Sequence, residues 1–191
     1  MPDPSSDALV SDLRERRPEA IAQAVRRHSA DLLRAARGLG FSQADAEELV
    51  QAAFVAFLDS VPRFEGRSSL RTYLFGILYN KALERGRERS RELPMDPADN
   101  VFESRFDRRG HWSLPPKGPE EEVSIGEIAR IIARCVEELP MLQRAAFQLK
   151  EIEREPSAAV CNILGVRDTH LRVLLFRARS RLRACIEAEW K

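Results

Sequence analysis

The chain is poor in the residues that build metal sites, disulfide frameworks and acid–base machinery. Its 191 residues include only three cysteines and three histidines. Cys135, Cys161 and Cys185 lie far apart, are odd in number and show no Cys-x-x-Cys spacing. Neither a disulfide framework nor a metal site is expected from them; three reduced, buried thiols in a cytoplasmic protein are. Only His28, His111 and His170 are available for acid–base work; His28 sits on a helical stripe, where a core or interface role suits it, and His111 sits in the linker beside Trp112. There is no phosphate-binding loop, so no enzyme and no cofactor is expected. No run of about 18 apolar residues occurs, which excludes a membrane-spanning helix. The opening MPDPSSDALVSD has neither the basic start nor the apolar centre of a secretory signal. Strand alternation and internal repeats are missing too.

Net charge is also scarce. The chain has 31 basic and 30 acidic residues, a formal charge of +1. Taken alone, that balance argues weakly against a nucleic-acid binder. Its distribution argues the other way. Between Arg63 and Arg91 eight basic residues face three acidic ones, and between Arg167 and Arg183 six face one. Two patches of +5 therefore sit in a remainder of −9.

What is present is helical periodicity. Residues 1–16 are polar and expected to be disordered. From Pro18, apolar positions recur at three and four through Ile21, Ala24, Val25, His28, Leu32, Ala35, Ala36 and Leu39, until Gly38 and Gly40 end the helix. Ser42 is placed to cap a second helix with the stripe Ala46, Leu49, Val50, Ala53, Phe54, Phe57, Leu58 and Val61, stopped by Pro62. After the loop 64–69, a third helix carries Leu70, Tyr73, Leu74, Ile77 and Leu78 inward. Residues 94–119 hold five prolines and no apolar period, so a domain boundary is placed there. Beyond it, a helix with Ile125, Ile128, Ala129, Ile132, Val136 and Leu139 inward is expected, then one from Pro140 with Leu142, Ala145, Ala146 and Leu149. The fold class is all-α: two small helical domains, residues 17–93 and 120–191, joined by a flexible linker.

Two constellations carry function. Pro156–Leu164, the turn Gly165-Val166 and a longer helix from Asp168 or Thr169 form a helix-turn-helix pattern, in which the start of the second helix meets base edges. A solvated helical hairpin is the alternative, but the arginine excess of that helix favours DNA. Phe64 to Arg91 interleaves basic residues with Phe64, Tyr73, Phe75 and Tyr79, the composition of a single-strand-binding groove. There Tyr73 is the aromatic most suited to the core, leaving Phe64 and the off-stripe Asn80 free. The helix before it carries Asp45, Glu47, Glu48 and Asp59 without a basic residue, which suits a basic protein partner or a plain solvated face.

Asp45-Ala46-Glu47-Glu48-Leu49-Val50-Gln51-Ala52-Ala53-Phe54 resembles the core-binding signature of bacterial RNA polymerase sigma factors. Phe64 through Asn80 resembles their promoter-melting region. Leu139-Pro140 with Arg144, Phe147 and Leu149 resembles the lead-in to their C-terminal domain. Leu164-Gly165-Val166, Val173, Arg177-Ala178-Arg179 and Leu182-Arg183 resemble its helix-turn-helix. Four motifs in order around one linker, over roughly Ala30 to Ala184, match the extracytoplasmic-function (ECF) type.

The resemblance implies core RNA polymerase (β′ clamp helices and β flap) and promoter DNA as partners, with an anti-sigma factor as regulator. It implies that Asp45, Glu47, Glu48, Leu49 and Gln51 meet polymerase. It assigns the minus-ten element to Phe64, Glu65, Gly66, Arg67, Ser68, Ser69, Arg71, Tyr73, Asn80, Lys81 and Arg85. The minus-thirty-five element falls to Arg167, Thr169, His170, Arg172, Arg177 and Arg179. Tyr73 stands where the family usually has Trp, and Glu153-Arg154-Glu155-Pro156 replaces a glycine-containing segment. A stand-alone helix-turn-helix regulator is the competing reading; it leaves the acidic helix and residues 64–91 unexplained.

Overall fold

The computed structural model describes residues 4–90 and 125–189. The expected linker, residues 94–119, lies outside them. Among the described residues every regular element is helical: α1 (Pro4–Arg14), α2 (Pro18–Gly38), α3 (Gln43–Ser60), α4 (Leu70–Ser90), α5 (Ile125–Glu137), α6 (Met141–Phe147), α7 (Ser157–Leu164) and α8 (Asp168–Glu189). A 3₁₀ turn, Val61–Arg63, follows α3, and a π-turn, Gln148–Ile152, follows α6.

Local signals set several boundaries. Pro18 occupies the first turn of α2, where its missing N–H costs nothing. Ser42 accepts a hydrogen bond from the Asp45 amide at 3.1 Å and so caps α3. Gly165 ends α7 at φ +64°, and the Val166 amide closes the turn on the Cys161 carbonyl at 3.0 Å.

The N-terminus departs from expectation. Residues 4–14 form α1, and Leu13 is fully buried against the first half of the chain, with Leu9 and Val10 beside it. Leu9, Val10 and Leu13 recur at helical spacing inside a polar segment, enough to fix one turn to the core.

The two halves share one core. Leu32, Leu49, Phe57, Leu74, Phe75, Leu78 and Tyr79 of the first half join Ala145, Ala146, Leu149, Val160, Ile163 and Leu171 of the second. Burying a side chain as large as Phe57 contributes about 3 kcal/mol. Polar side chains stitch the seam. Arg144 of α6 donates through Nη1 to the Leu39 carbonyl at 2.6 Å and through Nη2 to the carbonyls of Glu137 and Leu139. Gln148 donates to the Ala35 carbonyl at 3.0 Å. Arg144 satisfies the Leu39 carbonyl just past the end of α2, and Gln148 adds a second donor to the Ala35 carbonyl, which already accepts the Leu39 amide. Gly38 and Gly40 make room for them: a Cβ at either would overlap the Gln148 amide or the Arg144 guanidinium.

A second, smaller cluster comprises Ile131, Cys135, Leu139, Ala178 and Leu182, between α5 and α8. Two expectations fail here. The buried face of α5 runs through Ile131 and Cys135, with Leu139 buried in the turn after it as expected, while Ala129 is exposed and Ile132 is 43% exposed. The apolar residues form one broad face opposite Arg130, Arg134 and Glu137, so spacing alone leaves open which edge of that face is buried. Cys135 and Cys185 are not reduced thiols; they form a disulfide, and only Cys161 is free. Their separation of 50 residues hid a contact that the α5–α8 pairing creates.

Candidate nucleic-acid interface

On α3 the cap at Ser42 places Asp45, Glu47 and Glu48 in the first turns, where acids suit the helix dipole. Gln43 donates to Glu47 at 2.5 Å, and Glu48 pairs with Arg85 of α4 at 2.6 Å. Gln51 is exposed. Leu49 is not available to a partner, because it is 1% exposed and packs in the core. The surface instead shows Val55, 60% exposed, and Leu58, which was expected inside. Gln51, Val55 and Leu58 follow one another at four and three residues, so they share a stripe. Sequence reasoning missed this pair because Leu58 fitted the stripe assigned to the core and Val55, lying off that stripe, was given no role.

The loop before α4 is exposed from Glu65 to Ser69, with Gly66 at φ +70° and Arg67 paired to Glu65 at 2.5 Å. Ser69 caps α4 by accepting from the Thr72 amide at 3.0 Å. Phe64 is not free: it is 5% exposed and its ring lies 4.6 Å from that of Tyr73. Tyr73 also meets Phe57 edge-on at 6.3 Å, and is half-buried. Asn80 is exposed as its off-stripe position predicts, with Lys81 half-buried beside it.

Arg71, one-third exposed, is already occupied by carboxylates. Its Nη1 donates to Glu155 at 2.7 Å and its Nη2 to Glu153 at 2.5 Å, both on the segment leading into α7. The neighbouring Thr72 hydroxyl donates to the second Glu155 oxygen at 2.9 Å. The guanidinium also stacks over Phe75 at 4.3 Å. Burial raises the Glu153 carboxyl above its ordinary value of 4.5, against the pull of Arg71. It also pushes up the Tyr79 hydroxyl, which lies below the same pair without a hydrogen-bond partner. Burial lowers the Arg144 guanidinium. Arg154, between the two carboxylates, adopts φ +57°. It thereby takes the left-handed conformation that glycine adopts most easily.

On the helix-turn-helix, Arg167, Thr169, His170 and Arg172 are all exposed at the start of α8. Arg172 pairs with Asp168 one turn earlier at 2.7 Å, and Arg179 with Glu151 at 2.5 Å. Arg177 is half-buried. Val173 and Phe176 are 43% and 51% exposed on the same helix, an apolar addition that the basic pattern concealed.

An exposed, polar turn-helix start in one half and a helix-turn-helix in the other define a two-part nucleic-acid-binding protein. The family description "Sigma-70 region 2" matches residues 24–92, and "Sigma-70, region 4" matches residues 129–182. A "Probable RNA polymerase sigma factor" of Haemophilus influenzae is 32% identical over 159 residues, covering 78% of this chain and 80% of that one. The ECF RNA polymerase sigma-E factor of Escherichia coli is 27% identical over 135 residues, covering 71% and 70%. Among solved structures, the sigma factor RpoE in complex with the anti-sigma factor NepR from Bartonella quintana has the same fold. Its TM-score is 0.62 at 22% identity, over 87% of this chain and 96% of that one. The chain belongs to the RNA polymerase sigma factors of ECF type. Its two regions are those through which such factors bind RNA polymerase and promoter DNA.

Proposed function

We propose that this sigma factor passes between a closed form, with its two halves packed together, and an open form bound to polymerase and promoter. The observation that carries this is the occupation of Arg71 and Thr72 by Glu153 and Glu155. Carboxylates there take the place a promoter phosphate would need, so DNA binding requires the halves to part. Core polymerase supplies the energy by engaging each half separately.

In the open form, Glu47, Glu48 and Gln51, with Val55 and Leu58 beside them, meet the β′ clamp. Residues 65–69 and Asn80 hold an unstacked minus-ten base, with Tyr73 and Phe64 as the wall behind it. Arg71, Lys81 and Arg85 hold the backbone. Unstacking a base costs a few kcal/mol, which a pocket and phosphate contacts offset. Arg167, Thr169, His170 and Arg172 read the minus-thirty-five element as duplex, and Arg177 and Arg179 add phosphate contacts. The protein acts in the cytoplasm and performs no covalent chemistry of its own.

An anti-sigma factor fits the same scheme, because a partner that grips both halves would hold the closed form. The test is run-off transcription with core polymerase and genomic DNA. Promoter-specific transcripts dependent on the chain are expected. Absence of both core binding and specific transcripts overturns the assignment.

A further inference from the structure

Promoter recognition makes no use of the bond between Cys135 and Cys185. It links α5 to α8 with Cα atoms 5.7 Å apart, an ordinary spacing for a disulfide. Polymerase works in a compartment whose thiol pools keep cysteine pairs reduced, and disulfides found there are mostly transient or redox-sensing. A pair set face to face in such a protein is therefore poised to change state.

The position of the bond gives that change a consequence. Besides it, α5 meets α8 through a cluster of five buried residues, one of which is Cys135 itself, and through an ion pair between Arg134 and Glu189 at 2.6 Å. The end of α5 supplies the Glu137 carbonyl, and the turn after it the Leu139 carbonyl, to Arg144. The other nitrogen of that guanidinium caps α2 through the Leu39 carbonyl at 2.6 Å, over Gly40. A staple on α5 fixes the carbonyls that aim Arg144 across the seam.

We propose that Cys135 and Cys185 form a reversible thiol–disulfide switch: the oxidised pair holds the two halves closed, and reduction eases their separation. The idea rests on the closed and open forms proposed above. The oxidant is a peroxide. Cys185 is half-buried and Cys135 only 1% exposed, so Cys185 reacts first. Its thiolate attacks one peroxide oxygen; the O–O bond breaks, an S–O bond forms, and the other oxygen leaves as water after protonation. The Cys135 thiolate then attacks that sulfur; the S–S bond forms and the S–O oxygen leaves as a second water. Two thiols lose two electrons and hydrogen peroxide gains them. A dithiol reductant reverses the sequence by exchange.

The experiment uses the full chain, reduced with dithiothreitol or oxidised with hydrogen peroxide. After oxidation, alkylation followed by mass measurement under denaturing conditions should label one cysteine, Cys161, and after reduction all three. Amide exchange across residues 35–41 should be slower in the oxidised form. Run-off transcription with core polymerase should fall by about fivefold on oxidation and recover with dithiothreitol, at the low end of typical couplings. The double variant Cys135→Ser, Cys185→Ser should match the reduced chain and ignore peroxide, its folding confirmed by helical circular dichroism. Three labelled cysteines after peroxide, or equal exchange at residues 35–41 in the two forms, would overturn the switch. Absence of specific transcripts from both forms would instead overturn the sigma reading, and the exchange result would still decide the switch.

Discussion

Arg71 and Glu155 lie 84 positions apart and meet in a 2.7 Å ion pair across the seam between the two halves of the chain. Glu155 is 4% exposed and Arg71 one-third exposed, so the carboxylate has given up its water and the guanidinium has kept part of it. Losing one partner of such a pair is more costly than the pair's net value, because a buried charge is left behind. Glu155→Gln removes the charge and keeps a hydrogen-bonding side chain for Thr72. It should destabilise the closed form by about 1–3 kcal/mol, less than for a fully buried pair. A double-mutant cycle with Arg71→Gln in denaturant unfolding should return a coupling near 1 kcal/mol. The free Glu155→Gln chain should also bind a minus-ten single strand more tightly than the parent does. Unchanged strand affinity together with zero coupling would remove the latch.

The close fit of Gln148 against Gly38 gives a second test. Gly38 ends α2 with an ordinary helical conformation, so alanine there gains helix propensity of about 1 kcal/mol when nothing is packed on it. In the closed chain the added Cβ overlaps the Gln148 amide, which must leave the Ala35 carbonyl. Gly38→Ala should therefore lower the stability of the parent chain and raise it in the background of Gln148→Ala. That reversal of sign is read from thermal melts of the four proteins. Gly40 is a poorer choice, because its φ of +86° strains any side chain there.

Arg154 is held at φ +57° between two bonded carboxylates. A non-glycine residue in that region costs about 1–2 kcal/mol. Arg154→Gly should relieve part of this and raise the denaturation midpoint, provided the Glu155 amide keeps its 2.9 Å bond to the Leu149 carbonyl. A midpoint lowered by the substitution would mean that the arginine side chain contributes more than the strain removes.

His28 sets a pH dependence whose sign follows from its burial. Desolvation lowers its pKa below the ordinary 6.5; Arg27 and Arg71 lower it further, and Asp31 opposes them. Its Nδ1 is buried without a partner. The unfolded chain therefore takes up a proton at higher pH than the folded one. Stability from this group is fully present above 6.5 and is lost as pH falls toward the lower folded value. Denaturant midpoints measured near pH 7.5 and near pH 5.5 should differ less in His28→Phe than in the parent. Equal slopes would assign the acid sensitivity elsewhere.

Much of this architecture was legible from residue spacing. Ser42, Pro62 and Gly165 marked boundaries because capping and φ restrictions act within a few residues of sequence. The inward stripe of α8, Leu171, Leu174, Leu175, Ala178 and Leu182, recurs at steps of three and four residues, although Val173 and Phe176 place apolar surface on the opposite face. Hidden features came from contacts between distant segments. The buried Arg144, Gln148 and Glu155 look like surface residues until α2 and α4 are packed against them. The phase of α5 was ambiguous until Cys185 met Cys135. Leu13 needed the rest of the first half to give it a core.

The burial of Phe64 changes how the proposed minus-ten pocket should be tested. At 5% exposure and 4.6 Å from Tyr73, Phe64 is part of the wall of the first half. Truncating a buried phenylalanine costs about 3–5 kcal/mol, so Phe64→Ala would confuse lost recognition with lost folding. Asn80 is exposed and lies on α4 away from the buried stripe. Asn80→Ala should leave the thermal midpoint within the change typical of a surface substitution, about 0.5 kcal/mol. Core polymerase binding should also be unchanged. Promoter opening, followed by permanganate reactivity of unpaired thymines, should fall by about tenfold if the amide gives a hydrogen bond to an unstacked base. Opening retained in full would move base recognition from α4 to the loop 65–69, where Arg67, Ser68 and Ser69 are the exposed donors that remain.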